Sequence, residues 1–226
     1  MPQAQKVPRA ILFDLDGTLL DPQRGIFAGF RHALAHMGAP PPPEPLRWII
    51  GPPLRGSLRA ALGEGADVAE ALRAYRALYV DGGGMLDAEV YDGVPEALAE
   101  LGACSRLFVC TSKPKVVAER ILAHFDLARS FEAVYGTGLD GSFDEKAELL
   151  AHLLASEQLL PQDCVMVGDR RFDMEAAARN GVAGVGALWG YGDEAELMKA
   201  GATALCERPG ELAAAIDTLA SIASFR

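Results

Sequence analysis

The chain holds 226 residues, with 21 lysines and arginines against 31 aspartates and glutamates, for a net charge of −10. Half of the residues are hydrophobic and 23% are charged, which excludes a disordered, collagen-like or low-complexity chain. So acidic a surface repels a polyphosphate backbone, and nucleic acid is not expected as a partner.

The length allows one large domain or two modest ones. No apolar run approaches the roughly 18 residues of a membrane span, and the run that follows Lys6 and Arg9 is cut at once by Asp14 and Asp16, so neither an export signal nor a membrane anchor is read. Of the cysteines Cys104, Cys110, Cys164 and Cys206, Cys110 and Cys164 fall in apolar runs and read as buried thiols. A reducing compartment follows, and a cytoplasmic location is expected.

In chain order, Ala10 to Leu15 reads as a first strand ending in a Gly-Thr turn. From Leu20 to Val90 the apolar spacing becomes helical, as in Phe27-Phe30-Leu34 and Leu72-Tyr75-Leu78-Tyr79, and no strand is predicted there. Pro40 to Pro43 makes a stiff loop between two helices, because proline has no N–H to give a helix interior. Gly82-Gly83-Gly84 and Asp92-Gly93 mark the return, either as hinges or as ordinary turns.

Beyond Arg106, strands alternate with helices. Leu107 to Cys110 precedes a helix from Pro114 to His124, and Glu132 to Tyr135 precedes one from Asp144 to Glu157. Cys164 to Val167 then leads to Arg170–Asn180, and Val182 to Val185 leads to helices at Glu194–Ala200 and Glu211–Leu219. Repeated βα units predict an α/β fold, a Rossmann-like doubly wound parallel sheet, here with an inserted all-helical domain. The expected boundaries are 1–20 and 91–226 for the sheet domain and 21–90 for the insert.

Chemistry gathers at the predicted strand ends. Asp14 and Asp16, two apart on an extended chain, face one site, and paired carboxylates need a cation, a proton or a helix N-terminus to persist. Asp169 and Asp173, four apart, fall on one helix face, and Thr111-Ser112 ends a third strand. Open α/β sheets build their sites at these carboxyl ends. Carboxylates without cysteine or histidine beside them suit a hard, oxygen-seeking ion such as Mg²⁺. His32 and His36 lie four apart but have no third ligand in view. Only five lysines occur, and Lys113 and Lys146 stand at the strand-end level, where an acidic protein must place positive charge to hold an anion.

Asp14-Leu15-Asp16-Gly17-Thr18-Leu19, Thr111-Ser112-Lys113, Lys146 and Gly168-Asp169-Arg170-Arg171-Phe172-Asp173 resemble, in order, the four motifs of the haloacid dehalogenase superfamily. The insert resembles that superfamily's first class of cap. Tyr91-Asp92-Gly93-Val94 and Trp48 to Leu54 resemble its phosphoglycolate phosphatase-like branch. The resemblance implies Mg²⁺-dependent hydrolysis of a small phosphate monoester through an aspartyl-phosphate. Asp14 would be the nucleophile and Asp16 the acid and then the base. Thr18, Thr111, Ser112 and Lys146 would hold the phosphoryl group, and Asp14, Asp16 (through its carbonyl), Asp169 and Asp173 the metal.

Asp16 disfavours carbon–halogen cleavage, since dehalogenase members lack that acid. The absence of lysine between Asp21 and Tyr91 disfavours phosphonoacetaldehyde hydrolase chemistry. A sugar phosphomutase and a nucleoside 5′-monophosphate phosphatase stay open. A receiver-like phospho-acceptor domain, roughly half this length, fits poorly because it has no insert. Among seven arginines of the insert, Arg47, with Gly51 in the Trp48 to Leu54 loop and Lys113 from the sheet, is expected to set specificity for a small phosphorylated metabolite. A monomer and a homodimer are both compatible with the sequence.

Overall fold

Four consecutive apolar residues, Ala10–Phe13, form strand β1 and are buried on both sides, as a central strand of a parallel sheet must be. The computed structural model describes residues 8–223. Lys6 and the outermost residues of the expected sheet domain, 1–7 and 224–226, lie outside the described residues.

The chain leaves β1 through a tight turn and a two-residue strand β2 (Leu20–Asp21). It then enters α1 (Gln23–His36), the extended proline loop, a 3₁₀ turn at Leu46–Ile49, α2 (Leu54–Leu62) and α3 (Val68–Arg76). A π-turn, Ala77–Asp81, and a 3₁₀ turn, Gly84–Leu86, lead to β3 (Glu89–Val90). β2 pairs with β3 antiparallel, Leu20 opposite Val90. This two-residue ribbon corrects the expectation of a strand-free insert; it is too short to leave an alternating pattern in the sequence.

The rest of the chain builds βα units. They are α4 (Val94–Gly102), β4 (Arg106–Pro114), α5 (Lys115–His124), β5 (Ala133–Thr137), α6 (Lys146–Ser156), β6 (Cys164–Gly168), α7 (Arg171–Arg179), β7 (Ala183–Ala187), α8 (Glu194–Lys199), β8 (Ala204–Cys206) and α9 (Leu212–Ala223). α4 and β8 were not foreseen. α4 carries a readable signal in its apolar spacing at Val94, Ala97, Leu98 and Leu101 behind Pro95 in the first turn. β8 is a three-residue edge strand with no such signal.

The strands run parallel in the order β5-β4-β1-β6-β7-β8. The order reverses at β1, so the crevice beyond its carboxyl end is where such a sheet takes a ligand. Phe13 is level with Val109 on one side and Val167 on the other. Adjacent strands lie about 4.8 Å apart, so the residues just past these positions meet in one place. One buried cluster joins the sheet to the insert, with Ile11, Phe13 and Val109 in the same core as Phe30, Leu46, Leu58 and Tyr75. No helix among the described residues is long and apolar enough to cross a membrane. Cys110, Cys164 and Cys206 are buried free thiols, and Cys104 is an exposed one.

Candidate active site

Asp14 follows β1 directly, and its N–H donates to the Val167 carbonyl at 2.9 Å, which ties the end of β1 to β6. Asp169 follows β6 and is fully buried. Asp173 lies in the first turn of α7, where its carboxylate accepts from the Arg170 N–H at 2.9 Å and caps the helix. The two are therefore not neighbours on one helix face, because Asp169 precedes the helix; the turn at Arg170 brings them together instead. Asp14, Asp169 and Asp173 each offer a carboxylate oxygen within 4.8 Å of the others.

One ammonium faces this cluster. Lys146, at the start of α6, has Nζ 2.9 Å from Asp14 Oδ1 and in contact with Asp173 Oδ1. Burial works against its charge, yet Asp14 and Asp173 outweigh burial and hold its pKa above that of an ordinary lysine. Both Oδ1 atoms are buried against this ammonium. Burial first, and the neighbouring carboxylates second, push the Asp169 carboxyl far up. Burial raises Asp173 to about 6, with Lys146 opposing.

Three carboxylates against one ammonium leave two negative charges uncompensated in a buried site, and such charges must be paired to remain. With three carboxylates gathered within reach of one ion and only oxygen donors present, the residues fit a small divalent cation of the Mg²⁺ kind. Asp16 adds no carboxylate to this cluster. Thr18, expected on phosphate, is fully buried, and its hydroxyl donates to Asp169 Oδ1 at 3.2 Å while its carbonyl accepts from Trp189 Nε1 at 3.0 Å. The hydroxyl therefore orients a carboxylate of the cluster. Tyr191, unmarked in the sequence, holds the other Asp169 oxygen through its N–H at 2.9 Å.

Above the cluster opens a cavity of about 400 Å³ lined by Asp14, Asp16, Thr111, Ser112 and Lys113 from the sheet side. Thr111 Oγ1 accepts from the Lys113 N–H at 3.2 Å, so its own hydroxyl hydrogen is available to an anion. Lys113 is placed by an irregularity in β4. Thr111 pairs with Gly136 but Pro114 with Thr137, so Ser112 and Lys113 bulge from the ladder. A side chain at Gly136 would run into the Lys113 carbonyl at 2.5 Å, which reserves that position for glycine. The bulge carries Lys113 Nζ to 2.8 Å from Asp16 Oδ2 and 2.7 Å from Tyr79 Oη. Expected on substrate, Lys113 is instead committed to Asp16. Burial raises the Asp16 carboxyl, and Lys113 opposes the rise.

The opposite wall belongs to the insert, with Ile26, Ile49, Leu72 and Tyr75 as apolar surface and Arg55 and Arg76 as charge. Arg76 donates to the Leu139 carbonyl at 3.1 Å, and Arg55 Nε lies 3.9 Å from Asp144, so both reach the 138–144 loop after β5. Arg120 of α5 lines the same cavity and was missed, being one arginine on an otherwise ordinary helix. Gly51 lies on the wall as expected, at φ +105°, where a side chain would meet Arg170 Cγ at 2.8 Å.

Arg47 does not line the cavity. It is exposed, with its guanidinium 5.7 Å from the Tyr191 ring centroid. The 3₁₀ turn directs it outward, and its carbonyl and that of Ile50 accept from Arg170. His36 pairs with Glu70 at 2.7 Å on the surface.

Residues 11–187 match the family model described as haloacid dehalogenase-like hydrolase. The chain belongs to this family. Among relatives of this haloacid dehalogenase-like hydrolase, the tyrosine-protein kinase PtkA of Mycobacterium tuberculosis is 47% identical over 82% of the chain, which spans 64% of the length of PtkA. The 5′-nucleotidase of Pseudomonas aeruginosa is 44% identical over 87% of the chain and 90% of its own length. A phosphoglycolate phosphatase of Xanthomonas campestris is 32% identical over 92% and 96% respectively. Among solved structures, a haloacid dehalogenase-like hydrolase of Streptococcus pneumoniae superposes with a TM-score of 0.83 at 30% identity, over 91% of this chain and 96% of that one.

Proposed function

We propose that this hydrolase cleaves phosphate monoesters in two steps, through a phosphoryl group carried on Asp14, with Mg²⁺ held by Asp14, Asp169, Asp173 and the Asp16 carbonyl. The observation that carries this reading is the placement of Asp14 on a cavity floor shared with Thr111, Ser112 and Asp16, with Lys146 on its carboxylate. Two unit charges at 4 Å repel by about 4 kcal/mol at an effective dielectric near 20, so an anionic nucleophile approaches an anionic ester only where positive charge waits. When bound, Mg²⁺ supplies that charge against the phosphoryl oxygens.

The chain's own residues do the rest. Lys146, paired with Asp14, balances the charge of the transferring group. The Thr111 hydroxyl and the Ser112 N–H hold phosphoryl oxygens. As the ester P–O bond breaks, its electron pair stays on the leaving oxygen, which takes a proton from Asp16. Asp16, now a carboxylate, removes a proton from the water that attacks the phosphorus and frees Asp14. The helical insert acts as a cap that keeps bulk water out during the first step.

The cavity favours a leaving group larger than a two-carbon acid. Its volume matches sites for drug-sized ligands, and its insert wall is apolar with arginines at the edge. A nucleoside 5′-monophosphate fits this chemistry, in line with the 44% identical relative named 5′-nucleotidase. The test is phosphate release from a panel of nucleoside monophosphates, sugar phosphates and phosphoglycolate with Mg²⁺, beside Asp14→Asn and with acid-quenched mass spectrometry of the protein. Nucleotide hydrolysis with phosphate trapped on Asp14 supports the reading. Phosphate passing to a second sugar or to a tyrosyl hydroxyl, rather than to water, replaces it.

A further inference from the structure

Asp16 is held from the insert as well as from the sheet. Lys113 Nζ bridges Asp16 Oδ2 and Tyr79 Oη at 2.8 and 2.7 Å, and all three residues line the cavity. Tyr79 belongs to the π-turn Ala77–Asp81 that ends α3, a local widening often found at functional sites. It is 3% exposed, and its ring lies 4.9 Å from that of Tyr75. The other Asp16 oxygen, Oδ1, is buried without a hydrogen-bond partner. An ammonium has three donors and no acceptor, so the tyrosine hydroxyl can only receive from Lys113, and doing so fixes the direction of the hydrogen left for Asp16.

We propose that Tyr79 is a positioning residue that acts through Lys113 to set the Asp16 carboxyl, so that the acid is aligned only while the insert is seated on the sheet. Lys113 holds Oδ2 and turns Oδ1 toward the leaving oxygen. When the P–O bond breaks, the leaving oxygen keeps the electron pair and takes the Oδ1 proton, and the carboxylate that remains is already paired with Lys113. Lifting the insert withdraws Tyr79 and frees the lysine's four-carbon stem, so Asp16 loses its fixed direction. This proposal rests on the assignment of Asp16 as the acid, made above.

The experiment compares kcat/KM, with Mg²⁺, for phenyl phosphate and p-nitrophenyl phosphate, which have the same ring but leaving groups of different basicity. The less basic nitrophenolate departs with little help from an acid. Asp16→Asn is expected to lower the phenyl to p-nitrophenyl ratio by roughly 100-fold. Tyr79→Phe, which keeps the ring and its packing, is expected to lower the same ratio by about tenfold. In a Lys113→Met background, Tyr79→Phe should have no further effect on it. Equal losses on both substrates in Tyr79→Phe, no loss on either, or an undiminished effect without Lys113 would each overturn the relay. If Asp16→Asn itself leaves the ratio unchanged, the acid assignment has failed instead. A Tyr79→Phe protein that melts well below the parent and loses both activities together shows that the hydroxyl serves folding, and the relay falls.

Discussion

The two walls of the cavity are built by different means. On the sheet side, Asp14 and Asp169 directly follow β1 and β6 and Thr111 lies within β4, and the parallel ladder sets the three side by side. On the insert side, helices joined by turns bring apolar side chains and the long arms of Arg55 and Arg76 over the same space. The hydrogen-bonded ladder fixes the positions of single side chains, whereas helix packing places surfaces. On the proposed function the sheet wall would carry the chemistry and the insert wall selection, and the Lys113–Tyr79 hydrogen bond joins the two.

Substitutions on the two walls should separate in size and kind. Asp14→Asn should lower kcat by about 10⁴-fold or more, measured as phosphate release; substantial activity in this variant would break the comparison at its root. Lys146→Met should lower kcat by roughly 10²- to 10³-fold, with a smaller change in KM. Arg76→Ala and Arg55→Ala should instead raise KM by about 5- to 30-fold for a cavity-filling substrate and leave kcat nearly alone, the mark of binding shared by ground and transition states. Arg47→Ala, which alters neither wall, should shift KM by less than about twofold.

The carboxylate cluster gives a pH-dependent check by thermal melting. Asp173 is raised to about 6, and Asp169 is raised as well. The metal-free fold therefore holds more protons than the unfolded chain; the contribution of these groups is fully present below the ordinary carboxylate range, that of Asp173 is lost as pH rises through about 6, and that of Asp169 is lost with rising pH as well. A metal must displace those protons, so the rise in Tm on adding Mg²⁺ should be small at acid pH and larger above neutrality. A pH-independent rise would place the ion elsewhere.

The sheet wall was legible because a buried parallel strand is a contiguous apolar run and its site residue comes directly after it. Asp14 after Ala10–Phe13 and Asp169 after Cys164–Gly168 show the pattern. Lys113 was seen, but its destination was not, because a bulge between Thr111 and Pro114 re-aims the chain without changing residue type. Thr18 reads as a phosphate ligand because a hydroxyl shortly after Asp14 and Asp16 has that look in one dimension; the fold gives it to Asp169, 151 residues away. Arg47 failed for the converse reason. A loop rich in proline and glycine announces a fixed shape without saying which side faces inward, and here Arg170 grips its carbonyls from below.

The position of β1 has a consequence for how the protein is made. It is the earliest strand of the sheet in the chain but lies between β4 and β6, so its ladder partners, Arg106–Pro114 and Cys164–Gly168, are synthesised long after it. An emerging chain thus carries an unpaired apolar segment at least until β4 has emerged, exposed to chaperones and to misassembly. Asp14 thus emerges well before Lys146, Asp169 and Asp173, and the groups that face it in the fold reach it only as those later segments are added.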